Sequence, residues 1–192
     1  MCQVKVSEGE NGKILVSTPY NPDLPARAKK LGGQWIALAK AWCFDGRLEA
    51  DVAALYRGIY GEWPGEAVET VTVRAECPDG DRAEQTGIFV LGRCLARARG
   101  RDSGAVQGEG VVVRSGGFRS GGSMKYWTTV AEEGTVVDIF DVPRNLVEGK
   151  TSEGKWTVKV VEGSAAIDRE ALEAEKARLL ARIAEIDALL GQ

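Results

Sequence analysis

The stretch ILVSTPYNPDLPARAKKLGGQWIALAKAWCFD, residues 14–45, decides the fold of the N-terminal part of the chain. It starts with aliphatic and β-branched residues, which predict a strand over residues 13–18. Asp23 then offers a side-chain oxygen that can cap a helix. Gly32 and Gly33 end that helix, because glycine adopts the left-handed conformation at little cost.

The second half of the same stretch predicts a tight hairpin between residues 34–38 and 41–45. Trp35 and Trp42 are expected to be its large apolar anchors and the core of a small unit. A stripe of apolar residues in the following segment predicts an amphipathic helix. The resulting order, β-α-β-β-α over residues 1–63, is enough for a small independent core.

This arrangement resembles the small Trp-hairpin modules found beside primases and antirestriction proteins of mobile elements. It is more distantly similar to the HARP domain of annealing helicases. The resemblance is carried by Pro19 and Tyr20, by residues 28–35 and by residues 40–44. It implies a compact unit in a nucleic-acid-related or mobile-element setting. The cations that could line one side of such a module and touch nucleic acid are Lys29, Lys30 and Lys40.

The rest of the chain divides into two further parts. Residues 69–162 contain several short strand-like runs separated by turn residues, which predicts a small sandwich or barrel. Residues 164–192 predict an amphipathic helix capped by Asp168. Its apolar seam consists of Leu172, Leu179, Ile183, Ile186 and Leu190. The expected fold class is therefore α+β, with an α/β module, a β-rich domain and a C-terminal coiled-coil helix.

The C-terminal helix needs a partner, because an isolated helix of this length is marginal in water. Three partners are open: its own β-rich domain, the same helix of a second chain, or another protein. A homodimer through this helix is the leading expectation.

The composition excludes several kinds of site. The chain has no histidine, which removes Ser-His-Asp and Cys-His nucleophile systems and His-containing zinc sites. Its four cysteines include no Cys-x-x-Cys pair, so we expect reduced thiols, no metal and no cofactor. The sequence has neither a signal-peptide pattern nor an apolar run long enough to span a membrane, which predicts a cytoplasmic protein.

Any basic surface must be local, because the net charge of −3 gives no global attraction to nucleic acid. Residues 91–125 hold seven cations against two carboxylates, Asp102 and Glu109, a local balance of +5. If residues 97–101 form a strand, the three arginines at alternate positions share one face, and Ala96 and Ala98 face the core. The seven cations are Arg93, Arg97, Arg99, Arg101, Arg114, Arg119 and Lys125.

Glycine is abundant in the same segment between residues 114 and 123, which predicts a flexible loop that exposes Phe118 and Arg119. Arginine, glycine and an aromatic residue together suit a phosphate backbone with one stacked base. A solvated strand face and an acidic protein surface are the two alternatives.

These patterns favour a non-enzymatic binding protein of a phage or other mobile element, whose target is nucleic acid or a nucleic-acid-handling complex. An anti-defence inhibitor of the anti-CRISPR type is one concrete form. An enzyme that uses carboxylates or a cofactor in a cleft between the two domains is one alternative. A dimeric adaptor that recruits a protein partner through its C-terminal helix is another.

Overall fold

The N-terminal part of the chain is a four-stranded antiparallel sheet with two helices on one face. The computed structural model describes residues 4–161. The strands are β1 (Lys5–Glu8), β2 (Lys13–Ser17), β3 (Gln34–Ile36) and β4 (Ala41–Asp45), and the helices are α1 (Leu24–Lys30) and α2 (Glu49–Tyr60). The spatial order is β1-β2-β4-β3, so β3 is an edge strand next to β4.

Helix α1 begins and ends where particular residues require it. Leu24 and Ala28 are its buried positions, four residues apart on one face. The predicted cap at Asp23 is wrong, because Asp23 is itself in a helical conformation and its N–H donates to the Asn21 side chain at 2.9 Å. At the other end, a Cβ on Gly33 would lie 2.8 Å from the Ala28 carbonyl oxygen, so only glycine fits there.

Within the described residues, eleven further strands build three more sheets. They are β5 (Thr70–Cys77), β6 (Asp81–Glu84), β7 (Gly87–Val90), β8 (Arg93–Ala98), β9 (Ala105–Gln107), β10 (Val111–Ser115), β11 (Phe118–Gly122), β12 (Trp127–Ala131), β13 (Thr135–Pro143), β14 (Ser152–Glu153) and β15 (Trp156–Val160). One sheet has the order β10-β13-β5-β15-β14, and the other two are β11-β12-β6 and β7-β8-β9. A single turn of helix, α3 (Arg144–Val147), follows β13.

Two apolar clusters form the core of these elements. One lies between the N-terminal sheet and its helices and includes Trp42, Phe44 and Tyr56. The other lies among the remaining sheets and includes Leu95 and Trp156. Burial of each large apolar side chain of this kind stabilises the fold by about 1.5–3 kcal/mol.

The two clusters belong to one compact unit that extends to Val161. Gly92, with a φ of 71°, lies against the carbonyl group of Ile59, where any Cβ would clash. The Asn145 side chain donates a hydrogen bond to the Gly61 carbonyl oxygen at 2.9 Å. These contacts hold the end of α2 against the turn between β7 and β8 and against α3.

The expected α+β fold class is wrong, because strands dominate the described residues. The N-terminal part has the order β-β-α-β-β-α, with β1 added at the sheet edge. The predicted sandwich or barrel is replaced by three small sheets. The strands that the sequence does not reveal, β1, β6, β9, β11 and β14, are short and either polar or rich in glycine. They therefore lack the apolar alternation that marks a strand.

The predicted C-terminal helix, residues 164–192 with its cap at Asp168, lies outside the described residues. So do the apolar positions of its predicted seam, Leu172, Leu179, Ile183, Ile186 and Leu190. Among the helices of residues 4–161, none is long and apolar enough to cross a membrane.

Candidate functional site

The cations of residues 91–125 do not form one basic face, because neighbouring groups engage several of them. The Arg93 guanidinium donates to the Asp141 carbonyl oxygen, and burial lowers the pKa of Arg93. Arg101 lies in the turn after β8 rather than on a strand, and its guanidinium pairs with Asp102 at 2.8 Å. Neither arginine is therefore fully available to a ligand.

Arg114 belongs to an ion cluster on the outer face of the five-stranded sheet. The buried carboxylate of Asp138 accepts a hydrogen bond from Arg74 Nε at 2.8 Å and another from Arg114 Nε at 2.6 Å. The hydrogen bond from Arg74, followed by that from Arg114, holds the pKa of Asp138 below its usual range. These bonds tie β5, β13 and β10 together, so Arg114 has a structural role.

Strand β11 replaces the predicted flexible loop and sends Phe118 and Arg119 to different faces. Phe118 is half-buried and stacks on Trp156 with ring centroids 6.2 Å apart, so it is not free to stack on a base. Arg119 is exposed in a groove that is also lined by Arg82, Lys155 and four carboxylates. The mixed charge of this groove makes it a poor site for a polyanion.

On β8, Arg97 is exposed while Ala96 and Ala98 are buried, but the strand ends at Ala98, so the exposed Arg99 lies beyond it and the predicted strand over residues 97–101 does not form. The guanidinium of Arg97 lies over the ring of Tyr20, 5.1 Å from its centroid. A cation over an aromatic face is stabilised by about 0.5–1 kcal/mol at an exposed site. Tyr20 comes from the loop before α1, so the N-terminal part and the β-rich part meet at this contact.

We call Tyr20, Phe89, Arg97 and Val106 the Tyr20–Arg97 cluster. The Tyr20 ring meets Phe89 edge to face, with centroids 6.1 Å apart. Val106 is the cross-strand neighbour of Arg97 and is 67% exposed, and Tyr20 is 52% exposed. Among residues 4–161, no ion pair includes Arg97. The cluster thus presents a ring, an aliphatic side chain and an unpaired guanidinium together.

The loop that carries Tyr20 is positioned by hydrogen bonds to a buried tyrosine, Tyr60. The Thr18 hydroxyl donates to Tyr60 Oη at 3.1 Å, and the Tyr60 hydroxyl donates to the Pro19 carbonyl oxygen at 2.7 Å. Burial raises the pKa of Tyr60 to about 12, so it stays a neutral donor near neutral pH. The loop next to Tyr20 is therefore held in place before any ligand arrives.

A second exposed ring carries a cation at the turn between β11 and β12. Lys125 Nζ lies 5.2 Å from the centroid of the Tyr126 ring. Tyr126 is 57% exposed, and Met124 beside it is 76% exposed. The Gln85 side chain donates to the Lys125 carbonyl oxygen at 2.8 Å, which holds the turn against the end of β6.

The three predicted cations of the N-terminal part are all exposed. Lys29 and Lys30 lie in the last turn of α1, and Lys40 lies in the turn between β3 and β4. Trp42 is buried as predicted, but Trp35 is 51% exposed because it stands on the edge strand β3. Trp35 is therefore a surface residue as much as a core residue.

Among the described residues, a cavity between the N-terminal and β-rich parts brings two carboxylates together, those of Asp23 and Glu153. Its volume is about 250 Å³, and Arg27 and Lys150 are also among the residues that line it. Glu153 accepts from the Leu91 backbone N–H at 3.1 Å and from Lys150 Nζ at 3.2 Å, so both of its oxygens are engaged. In the part of the chain that the structure describes, no group of three or more His, Cys, Asp or Glu side chains could hold a metal ion.

The described cysteines, Cys43, Cys77 and Cys94, are free thiols. Burial raises the pKa of Cys77 and of Cys94, which keeps both thiols protonated. A protonated thiol is a poor nucleophile and a poor metal ligand.

No known protein family, curated protein or solved structure matches this chain. The resemblance of the N-terminal part to Trp-hairpin modules therefore stays a prediction. Sequence reasoning missed Tyr20, Phe89 and Tyr126 as candidate site residues. Lys125 stands directly before Tyr126 in a glycine-rich turn, so the sequence alone could have indicated that cation and ring as a pair. Tyr20 and Arg97 are far apart in the sequence, and only the fold brings them together.

Proposed function

We propose that this chain is a binding protein whose target is nucleic acid, or a protein complex that handles nucleic acid. The observation that carries the proposal is the guanidinium of Arg97 over the exposed ring of Tyr20. A guanidinium and an exposed ring side by side are both planar groups that suit stacking on a base, and the N–H groups of the guanidinium suit a phosphate. Lys125 over Tyr126 repeats the combination at a second exposed turn.

Single strands suit the Tyr20–Arg97 cluster better than a duplex. Stacking on a ring or a guanidinium needs an open base face, which single strands and loops provide. The net charge of the chain is −3, so long-range attraction contributes little and few phosphates are contacted. We expect a modest affinity with a shallow dependence on salt.

A phage or other mobile element is the proposed setting, and an anti-defence inhibitor of the anti-CRISPR type is one form of it. The support is the resemblance of the N-terminal part to modules of mobile elements. The free thiols at Cys43, Cys77 and Cys94 support a cytoplasmic location, since the cytosol keeps thiols reduced. The homodimer and adaptor hypotheses rest on residues 164–192, outside the described residues.

Fluorescence anisotropy of the full chain with labelled single-stranded DNA and RNA tests the proposal. We expect binding that weakens as salt rises, with a slope equivalent to roughly two phosphate contacts. Arg97→Glu should weaken binding about tenfold, because it removes a stacking surface and a phosphate partner together. Arg82→Glu is the matched control, since it makes the same charge change in the mixed-charge groove, and it should change the affinity little.

Two results would contradict this proposal. Equal losses in Arg97→Glu and Arg82→Glu would reveal a general charge effect, and a lack of salt-sensitive binding would remove nucleic acid as a direct target. A pull-down from host lysate, with and without nuclease, separates the two kinds of target. Partners lost after nuclease treatment indicate nucleic acid, and partners that persist indicate a protein complex.

A further inference from the structure

The β3–β4 hairpin and the helix before it form a cationic region on an otherwise acidic protein. Residues 24–44 contain four cations and no carboxylate, although the whole chain has a net charge of −3. The four cations are Arg27, Lys29, Lys30 and Lys40. Within residues 4–161, none of the ion pairs includes any of them. The electrostatic complement of this region is therefore a negatively charged partner.

The same hairpin exposes apolar side chains that the core does not use. Leu38 is 98% exposed, Trp35 is 51% exposed and Ile36 is 37% exposed. Trp42 and Phe44 on the neighbouring strand β4 already fill the core on that side. Trp35 and Ile36 are successive residues of β3 and so point to opposite faces of the hairpin, and Leu38 lies in the turn between the two strands. Exposed apolar residues with polar residues around them are typical of interaction sites.

Backbone and side-chain hydrogen bonds hold the turn of the hairpin in one conformation. The Lys40 N–H donates to the Ala37 carbonyl oxygen at 3.3 Å, and the Ser17 hydroxyl donates to the Lys40 carbonyl oxygen at 3.3 Å. Lys40 has a φ of 48°, a value that few non-glycine residues adopt. A surface that is ordered before binding loses less conformational entropy when a partner arrives.

We propose that this hairpin surface docks an acidic protein segment that carries apolar side chains. Leu38 and Trp35 bury the apolar side chains of the segment, and the lysines face its carboxylates. Protein is favoured over nucleic acid because Leu38, the most exposed apolar side chain of the surface, is aliphatic and offers neither a donor for a phosphate nor a ring face for a base. The hairpin surface consists of Lys29, Lys30, Trp35, Leu38 and Lys40. It is separate from the Tyr20–Arg97 cluster, so the proposal stands whether or not that cluster binds nucleic acid.

Nuclear magnetic resonance of the isotope-labelled full-length protein tests this docking surface. The probe is a short synthetic peptide in which glutamates flank a leucine and a phenylalanine. We expect saturable shifts of the backbone signals of residues 34–40. Two matched peptides, one with lysine in place of glutamate and one with serine in place of the two apolar residues, should bind about fivefold more weakly or worse.

Substitutions in the protein complete the test. Leu38→Asp should weaken binding of the acidic peptide about fivefold or more, because it removes an apolar contact and adds a carboxylate. Met124→Asp is the matched control, since Met124 is also exposed at a hairpin turn, and it should leave the peptide affinity unchanged.

The proposal is overturned by an absence of shifts at residues 34–40, by equal binding of the three peptides, or by equal effects of the two substitutions. It is also overturned if oligothymidine binds the hairpin surface more tightly than the acidic peptide does. Shifts around Tyr20 on addition of oligothymidine report separately on the nucleic-acid function. The two proposals can therefore fail independently.

Discussion

Replacing Asp138 with asparagine tests the ion cluster that ties three strands together. The carboxylate is 4% exposed and accepts hydrogen bonds from Arg74 and Arg114, whose side chains are 42% and 51% exposed. Breaking a fully buried ion pair costs about 3–5 kcal/mol. Because both arginines are half-exposed and regain water, we reduce the expected cost of Asp138→Asn to about 2 kcal/mol. This corresponds to a fall in thermal midpoint of about 4–8 °C for a chain of this size.

The loss should depend on pH in a defined direction. Arg74, as the main partner, holds the pKa of Asp138 below its usual range, so the folded state favours the ionised carboxylate. The stabilisation is complete above the pKa of the unfolded carboxyl, about 3.9, and disappears as pH falls through the lowered pKa of the folded protein. The wild-type and Asp138→Asn proteins should therefore differ most near neutral pH and converge in strong acid.

Urea unfolding followed by circular dichroism over a range of pH measures this difference. Asp102→Asn is the control, because that carboxylate also pairs with an arginine but is exposed, and it should leave stability unchanged. A constant difference between wild type and Asp138→Asn down to strong acid would refute the electrostatic reasoning. An unchanged midpoint at neutral pH would refute the structural role of the cluster.

Three further substitutions test the packing. Gly92→Ala should lower stability by at least about 2 kcal/mol in urea unfolding, because its left-handed backbone and a neighbouring carbonyl group exclude a Cβ; a neutral effect would contradict that close approach. Phe118→Ala should lower the free energy of unfolding by roughly 1–3 kcal/mol, and with it the thermal midpoint, through lost packing on Trp156, and leave oligonucleotide affinity unchanged. Reduced affinity with unchanged stability would restore its predicted role in binding. Trp42→Ala should destabilise by about 3–5 kcal/mol and Trp35→Ala by less than half of that, as measured by denaturant midpoint, since Trp42 is 6% exposed and Trp35 is 51% exposed. Equal losses would contradict the edge position of β3.

Local patterns in the sequence predicted local features well. Alternation predicted the exposure of Arg97 on β8 between the buried Ala96 and Ala98, and the pattern around Trp42 predicted a hairpin with a buried anchor. Glycine at position 33 was correctly expected at the end of α1, and the structure adds the close approach to Ala28 as the reason. These features depend on residues that are near one another in the chain.

Features that depend on distant residues could not be predicted. Counting charges over residues 91–125 gave a strongly basic segment. That count left out Asp138, the carboxylate that binds Arg114, because it lies 24 positions further along the chain. The contact between Arg97 and Tyr20 joins two parts of the chain that no periodicity relates. Short polar or glycine-rich strands such as β6 and β11 acquire their structure from sheet neighbours, so the α+β expectation underestimated the β content.

A double-mutant cycle at Tyr20 and Arg97, measured as affinity for a single-stranded oligonucleotide, tests the proposed function most directly. If the ring and the guanidinium act as one stacked unit, each single change to alanine should lose most of the binding free energy that the double change loses. The coupling between the two should then be about 0.5–1.5 kcal/mol. Strictly additive losses, or affinities that none of the three variants alters, would show that the Tyr20–Arg97 cluster is not the nucleic-acid contact.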